Sequence, residues 1–85
     1  MTECSYTITN PVGIHARPAG LFIKRLQGFT SIITVIRGGD RCDGKKLLAL
    51  MKMQVKQGET IVIKAEGEDE EAAAKAAMDF LRSNL

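Results

Sequence analysis

The segment GIHARPAG, Gly13 to Gly20, holds the only histidine of the chain, His15, with Arg17 and Pro18 just behind it. Pro18 limits what the segment can be. Proline is accepted in the first turn of a helix and breaks a helix interior, so a helix must begin within about three residues before it. With His15 as the N-cap, Ala16, Arg17 and Pro18 are the first three helical positions, and the N–H that proline lacks had no intrahelical partner in any case. The residue before a proline is biased away from helical angles, which favours Arg17 as the cap instead. Either register places His15 at the helix mouth.

A helix mouth presents unpaired N–H groups, here those of Ala16 and Arg17, and about half a positive charge, which together suit an anion. Arg17 adds a planar fork that matches phosphate oxygens. Both features disfavour a charged imidazole, and a neutral ring keeps a lone pair and can act as a nucleophile. The electrophile that fits such a place is a phosphoryl group, whose transfer demands mostly positioning and charge stabilisation. No carboxylate lies nearby in sequence to serve as a base, and the reaction needs none. The plainer alternative is that a lone histidine before a helix serves only as its cap.

Other chemistries find little support. Cys4 and Cys42 form no C-x-x-C pair, and one histidine cannot complete a zinc set with them. No metal and no cofactor are expected, and the thiols read as free and half-buried. The start, MTECSYTITN, lacks the layout of a signal peptide, and the densest apolar cluster, LLALM, is far too short to span a membrane. A cytoplasmic protein without membrane insertion is expected. Residues 1–58 carry nine Lys/Arg against three acids, and residues 59–85 carry seven acids against three Lys/Arg. The basic front half suits an anionic partner, although a solvated mixed-charge surface explains it equally simply. A nucleic-acid partner is not expected, because Tyr6 is the only aromatic on a strand and no stacking platform can form.

These residues need a scaffold. CSYTITN alternates with strand period, and NPVG ends it with turn chemistry. Ala19, Phe22, Ile23 and Leu26 recur at helical spacing, with Gly28 at the C-terminal cap. TSIITVIR reads as a strand, GGD as a tight turn into a short strand around Arg41 and Cys42, and KKLLALMKM as a short helix. ETIVIKA is the last strong strand. EGEDEEAAAKAAMDFLRSNL is a long helix with Glu68, Asp69, Glu70 and Glu71 where its macrodipole favours acids, and with Ala73, Ala76, Ala77, Phe80 and Leu81 as its buried stripe. The order β-α-β-β-α-β-α over residues 1–85 predicts a single α+β domain, an open-faced two-layer sandwich with an antiparallel sheet and three helices on one face. Alternation puts Ile33, Val35, Ile61 and Ile63 under the helices and leaves Ile32, Ile36 and Val62 on the bare face.

GIHARPAG resembles the active-site segment of the HPr family, the histidine-containing phosphocarriers of the bacterial phosphotransferase system. The resemblance runs the full length, through GFTS, ITV, QGETIVIKAEGEDE and the alanine-rich last helix. It implies a four-stranded sheet in the order 1-4-2-3, with Cys4 and Cys42 on opposite edges. It also implies that His15 carries the phosphoryl group on Nδ1 and that Arg17 steadies it. The phosphoryl group would arrive from enzyme I, charged by phosphoenolpyruvate, and leave to a histidine of an enzyme IIA. Such a protein is a carrier that turns over only with its partner phosphotransferases, not an enzyme in its own right, and it is expected to be a monomer. The alternative is a regulatory module of the same fold that acts by docking alone; His15 argues against it, since pure docking needs no nucleophile.

The short helix supplies the second clue. At about 100° per residue, Leu47, Leu48, Leu50, Met51 and Met53 spread over more than the stripe a surface helix buries. The resemblance places Leu50 and Met53 in the core and Leu47, Leu48 and Met51 on a docking surface beside His15. Lys24 and Lys52 would rim it, and Gly20 would allow close approach. Positive rim charges would speed encounter with acidic partners more than tighten it. Many family members carry a regulatory serine just before this helix. Here the position is Lys46, so regulation through that serine is not available.

Overall fold

In strand β4 (Thr60–Glu66), Ile61, Ile63 and Ala65 are buried while the residues between them are not. Strand β2 (Ile32–Arg37) repeats the pattern, with Ile33 and Val35 fully buried. The two pair antiparallel, so their buried sets share one face. The structure, a computed structural model, describes all 85 residues. Strand β1 (Thr2–Thr7) flanks β4 and strand β3 (Asp40–Asp43) flanks β2, which gives the sheet order β1-β4-β2-β3. One row crosses the whole sheet through Cys4, Ile63, Val35 and Cys42.

Helices α1 (Ala16–Leu26), α2 (Leu47–Lys52) and α3 (Glu70–Asn84) cover the apolar face. The α1 stripe of Ala19, Phe22, Ile23 and Leu26 is buried as its spacing implies, joined by Pro18. Helix α3 buries Ala73, Ala74, Ala76, Ala77 and Leu81, and its small side chains let it lie close to the sheet. Phe80, expected inside, is only half-buried; its ring packs against Phe22 with centroids 5.6 Å apart. Residues such as Ile33, Ile63 and Leu50 each contribute about 1.5–3 kcal/mol by burial, a large share of what a domain this small has in hand.

Three local expectations shift. The first strand begins at Thr2 and ends at Thr7 rather than running from Cys4 to Thr9. Ile8 instead bonds to Glu59 and Gly58, and the N–H groups of Thr9 and Asn10 donate to the Leu85 oxygen at 2.6 and 2.8 Å. Gly28 is not a left-handed cap: α1 ends on Gln27 at φ −63°, which still donates to the Ile23 carbonyl. On the bare face only Ile32 is strongly exposed, whereas Ile36 and Val62 are half-buried. The paired Thr34 and Lys64 lie between Ile32 and that pair, so the apolar residues do not form one continuous patch.

Candidate functional site

The mouth of α1 is built by the turn before it. Gly13 has φ +76°, and a Cβ there would stand 2.4 Å from the Val55 carbonyl oxygen, so the turn admits only glycine. Ile14 is buried and donates its N–H to that same oxygen at 2.9 Å. The chain then turns extended at His15, φ −124° and ψ 175°, and enters the helix at Ala16. The His15 carbonyl accepts the Ala19 N–H at 3.0 Å. Of the two registers, His15 is therefore the N-cap; burial of Pro18 and Ala19 on the inner face of α1 outweighs the bias that proline imposes on Arg17.

His15 caps with its backbone only, because its side chain makes no capping hydrogen bond. The imidazole is half-buried, with Nδ1 3.1 Å from the Gly13 carbonyl oxygen. A carbonyl only accepts, so this contact keeps a proton on Nδ1 in the neutral ring and leaves the lone pair on Nε2. The N–H groups of Ala16 and Arg17 have no acceptor in the chain. Arg17 is exposed and enters no ion pair. The ring stands between two grooves. One is lined by Asn10, His15, Arg17, Pro18, Leu21 and Asn84; the other by Val12, Ile14, His15, Met51, Gln54, Val55 and Lys56. An open nucleophile, two free N–H donors and a free guanidinium thus share one surface.

The thiols are not rivals. Burial pushes both Cys4 and Cys42 up from the ordinary cysteine range, which leaves little thiolate. No group of three or more His, Cys, Asp or Glu side chains is placed to hold a metal.

The apolar excess of α2 divides between core and surface. Leu50 and Met53 are buried, Leu48 is 77% exposed, Leu47 is 42% exposed, and Met51 is half-buried at the edge of the His15 groove. Gly20 is half-buried, and a Cβ there would meet nothing within 4 Å. Nothing inside the chain requires a glycine at that point. Lys24 is exposed one turn further along α1. Lys52 is exposed too, but it lines a different groove, with Arg37, Asp40, Arg41, Cys42, Ala49 and Met53. Lys46 is the N-cap of α2 without a side-chain bond; Asp43 shapes that entry by accepting the Lys45 N–H at 2.9 Å.

Besides Pro18, eight groove residues were not named as site residues by the sequence reading: Asn10, Val12, Ile14, Leu21, Gln54, Val55, Lys56 and Asn84. Leu21 carried a signal, since it is four residues beyond Arg17 and off the buried stripe, so it shares the Arg17 face. Gln54 carried none. It sits at φ +50° directly after α2, where glycine or asparagine is the usual choice.

The family model described as PTS-HPr, the "PTS HPr component phosphorylation site", matches residues 2–83. The phosphocarrier protein HPr of Buchnera aphidicola is 42% identical over 73 residues, covering 86% of each chain. A crystal structure of HPr from Thermoanaerobacter tengcongensis superposes with a TM-score of 0.93 at 38% identity, covering 98% of this chain and 93% of that one. A structure of an HPr dimer from the same organism is similar with a TM-score of 0.78, covering 98% and 95%.

Proposed function

The chain belongs to the HPr family of the phosphotransferase system and is a phosphocarrier, and from that premise we propose that His15 is the residue that carries the phosphoryl group. The observation that supports this most is the half-exposed imidazole at the mouth of α1, beside two unpaired N–H groups and an unpaired guanidinium. Enzyme I, charged by phosphoenolpyruvate, is the donor, and a histidine of an enzyme IIA is the acceptor. The N–P bond forms on Nδ1 as the bond from phosphorus to the donor breaks.

Transfer to Nδ1 requires the contact with Gly13 to be given up. The proton leaves Nδ1, the other nitrogen takes one from solvent, and the ring turns its lone pair to the incoming phosphorus. The phosphoryl oxygens then find the Ala16 and Arg17 N–H groups and the Arg17 guanidinium, whose charge spreads across the transition state. Because these donors stand ready before the reaction, only the imidazole has to reorganise.

Leu47, Leu48, Met51, Gly20 and Lys24 form the docking surface, with Val12 and Leu21 extending it around the ring. Lys52 steers partners from the neighbouring groove rather than from the rim of the ring. In this reading the chain works as a monomer in the cytoplasm, alongside the other components of the phosphotransferase system; separately, no helix is long and apolar enough to cross a membrane. With Lys46 in place of the serine, phosphorylation at that position does not regulate it.

Phosphorus NMR of the chain charged by enzyme I and phosphoenolpyruvate tests the assignment of the nitrogen. An Nδ1-phosphohistidine resonance is expected, and an Nε2 resonance would contradict it. Arg17→Ala should slow transfer about tenfold or more while leaving the phosphate on His15; unchanged rates would remove Arg17 from the mechanism.

A further inference from the structure

Arg37 ends β2 on the covered face, in line with Ile33 and Val35, and its side chain is only 23% exposed. Its guanidinium reaches three groups. Nη1 donates to the Met53 carbonyl at 2.5 Å and lies 3.4 Å from Glu59 Oε1, while Nη2 bonds Asp40 Oδ2 at 3.1 Å. Met53 is the C-cap of α2, so the cation also stands where the helix dipole favours it.

In the loop that follows, residues 53–56, Gln54, Val55 and Lys56 line one side of the His15 groove. The loop is held from both ends by the same pair of side chains. At one end Arg37 binds the Met53 carbonyl. At the other Glu59 Oε1, the partner of Arg37, accepts the Lys56 N–H at 2.7 Å. Between them Gln54 is kept at φ +50°, a conformation that costs a non-glycine residue about 1–2 kcal/mol and persists only where its surroundings hold it. The loop in turn fixes the turn before α1. The Val55 carbonyl accepts the Ile14 N–H and abuts Gly13, and the Gly13 carbonyl is the partner of His15 Nδ1.

We propose that Arg37, with Glu59, is a positioning residue for His15: the two bracket the loop 53–56, the loop fixes Gly13, and Gly13 sets the tautomer and direction of the imidazole. This rests on the reading of His15 as the phosphoryl acceptor. Arg37 touches neither the ring nor a phosphoryl group, so its influence travels through the backbone contacts of Val55 and Gly13. Loosening the bracket frees the loop to relax toward an unstrained Gln54 and lets the Gly13 carbonyl drift from Nδ1.

The test is nitrogen NMR of the His15 ring in the full chain, with no partner present, for wild type, Arg37→Met, Arg37→Lys and Glu59→Ala. The wild-type neutral ring should be mainly the Nδ1–H tautomer. Arg37→Met and Glu59→Ala should both move the population toward Nε2–H, and Arg37→Lys, which keeps one donor, should recover part of the wild-type signal. If Arg37→Met fails to fold, Glu59→Ala carries the test, because that side chain is more exposed. Tautomer signals equal to wild type in the folded variants would overturn the proposal while leaving His15 as acceptor untouched. Charging of a His15→Ala variant would instead remove the reading beneath it.

Discussion

Asp69, the N-cap of α3, accepts hydrogen bonds from both the backbone N–H and the hydroxyl of the buried Ser31. A second oxygen accepts the Thr30 N–H at 2.8 Å. The carboxylate thus ties the start of α3 to the entry of β2 and makes no capping bond to its own helix. Bonds from Ser31 and Thr30 hold its pKa down at about 2, against 3.8 for a free aspartate. A depressed carboxylate stabilises the fold above the unfolded pKa and loses that contribution as pH falls through the folded one. Asp69→Ala should therefore lower Tm by about 4 °C or more at neutral pH. The difference from wild type should shrink between about pH 4 and pH 2. Thermal melts across that range check it, and a gap that stays constant down to pH 2 would contradict it.

Gly20→Ala should separate folding from docking. The added methyl meets nothing within 4 Å, and alanine is the better helix residue by about 0.5–1 kcal/mol. The variant should melt higher than wild type and yet bind enzyme I more weakly. A more stable protein with unchanged binding would take Gly20 off the docking surface.

Leu48→Asp and Leu50→Ala form a pair on one helix. Leu48 is 77% exposed and Leu50 is 1% exposed. The first should change stability by no more than about 0.5 kcal/mol while weakening both partner interactions. The second should cost about 2–5 kcal/mol. Denaturant titration and binding measured on both variants decide the matter; a large loss of stability in Leu48→Asp would place that side chain in the core.

Cys4 and Cys42 end the same row at opposite edges of the sheet, three strand spacings apart. At about 4.8 Å per spacing that is about 14 Å, against the roughly 7 Å limit for bridged Cα atoms. An oxidised monomer should retain both thiols. A mass two units lower with both thiols lost would contradict the strand order.

Much of this was legible in the residues. Pro18 confined the start of α1 to about three residues because only the first helical turn accepts it, and the alternation in IITVIR and ETIVIKA sorted both sheet faces because the strand period is two. The excess apolar residues of α2 announced an unburied set before any contact was known. What escaped depends on contacts distant in sequence. The alternation of β1 continues to Thr9 in the residues, but the ladder ends at Thr7, where the N–H groups of Thr9 and Asn10 turn to Leu85. Asp69 read as one acid in a run favoured by the helix dipole, whereas Ser31 and Thr30 define its role. Arg37 read as one basic residue among many, since nothing local places Met53 and Glu59 around it.

The most direct test of the account is to charge wild type and His15→Ala with enzyme I and phosphoenolpyruvate and to map any acid-labile phosphate by mass spectrometry. Wild type should carry one phosphoryl group on His15. The variant should keep the fold, since His15 caps α1 only through its backbone, and should carry none. A folded His15→Ala protein that still accepts the phosphoryl group, or wild type labelled at any other residue, would contradict it.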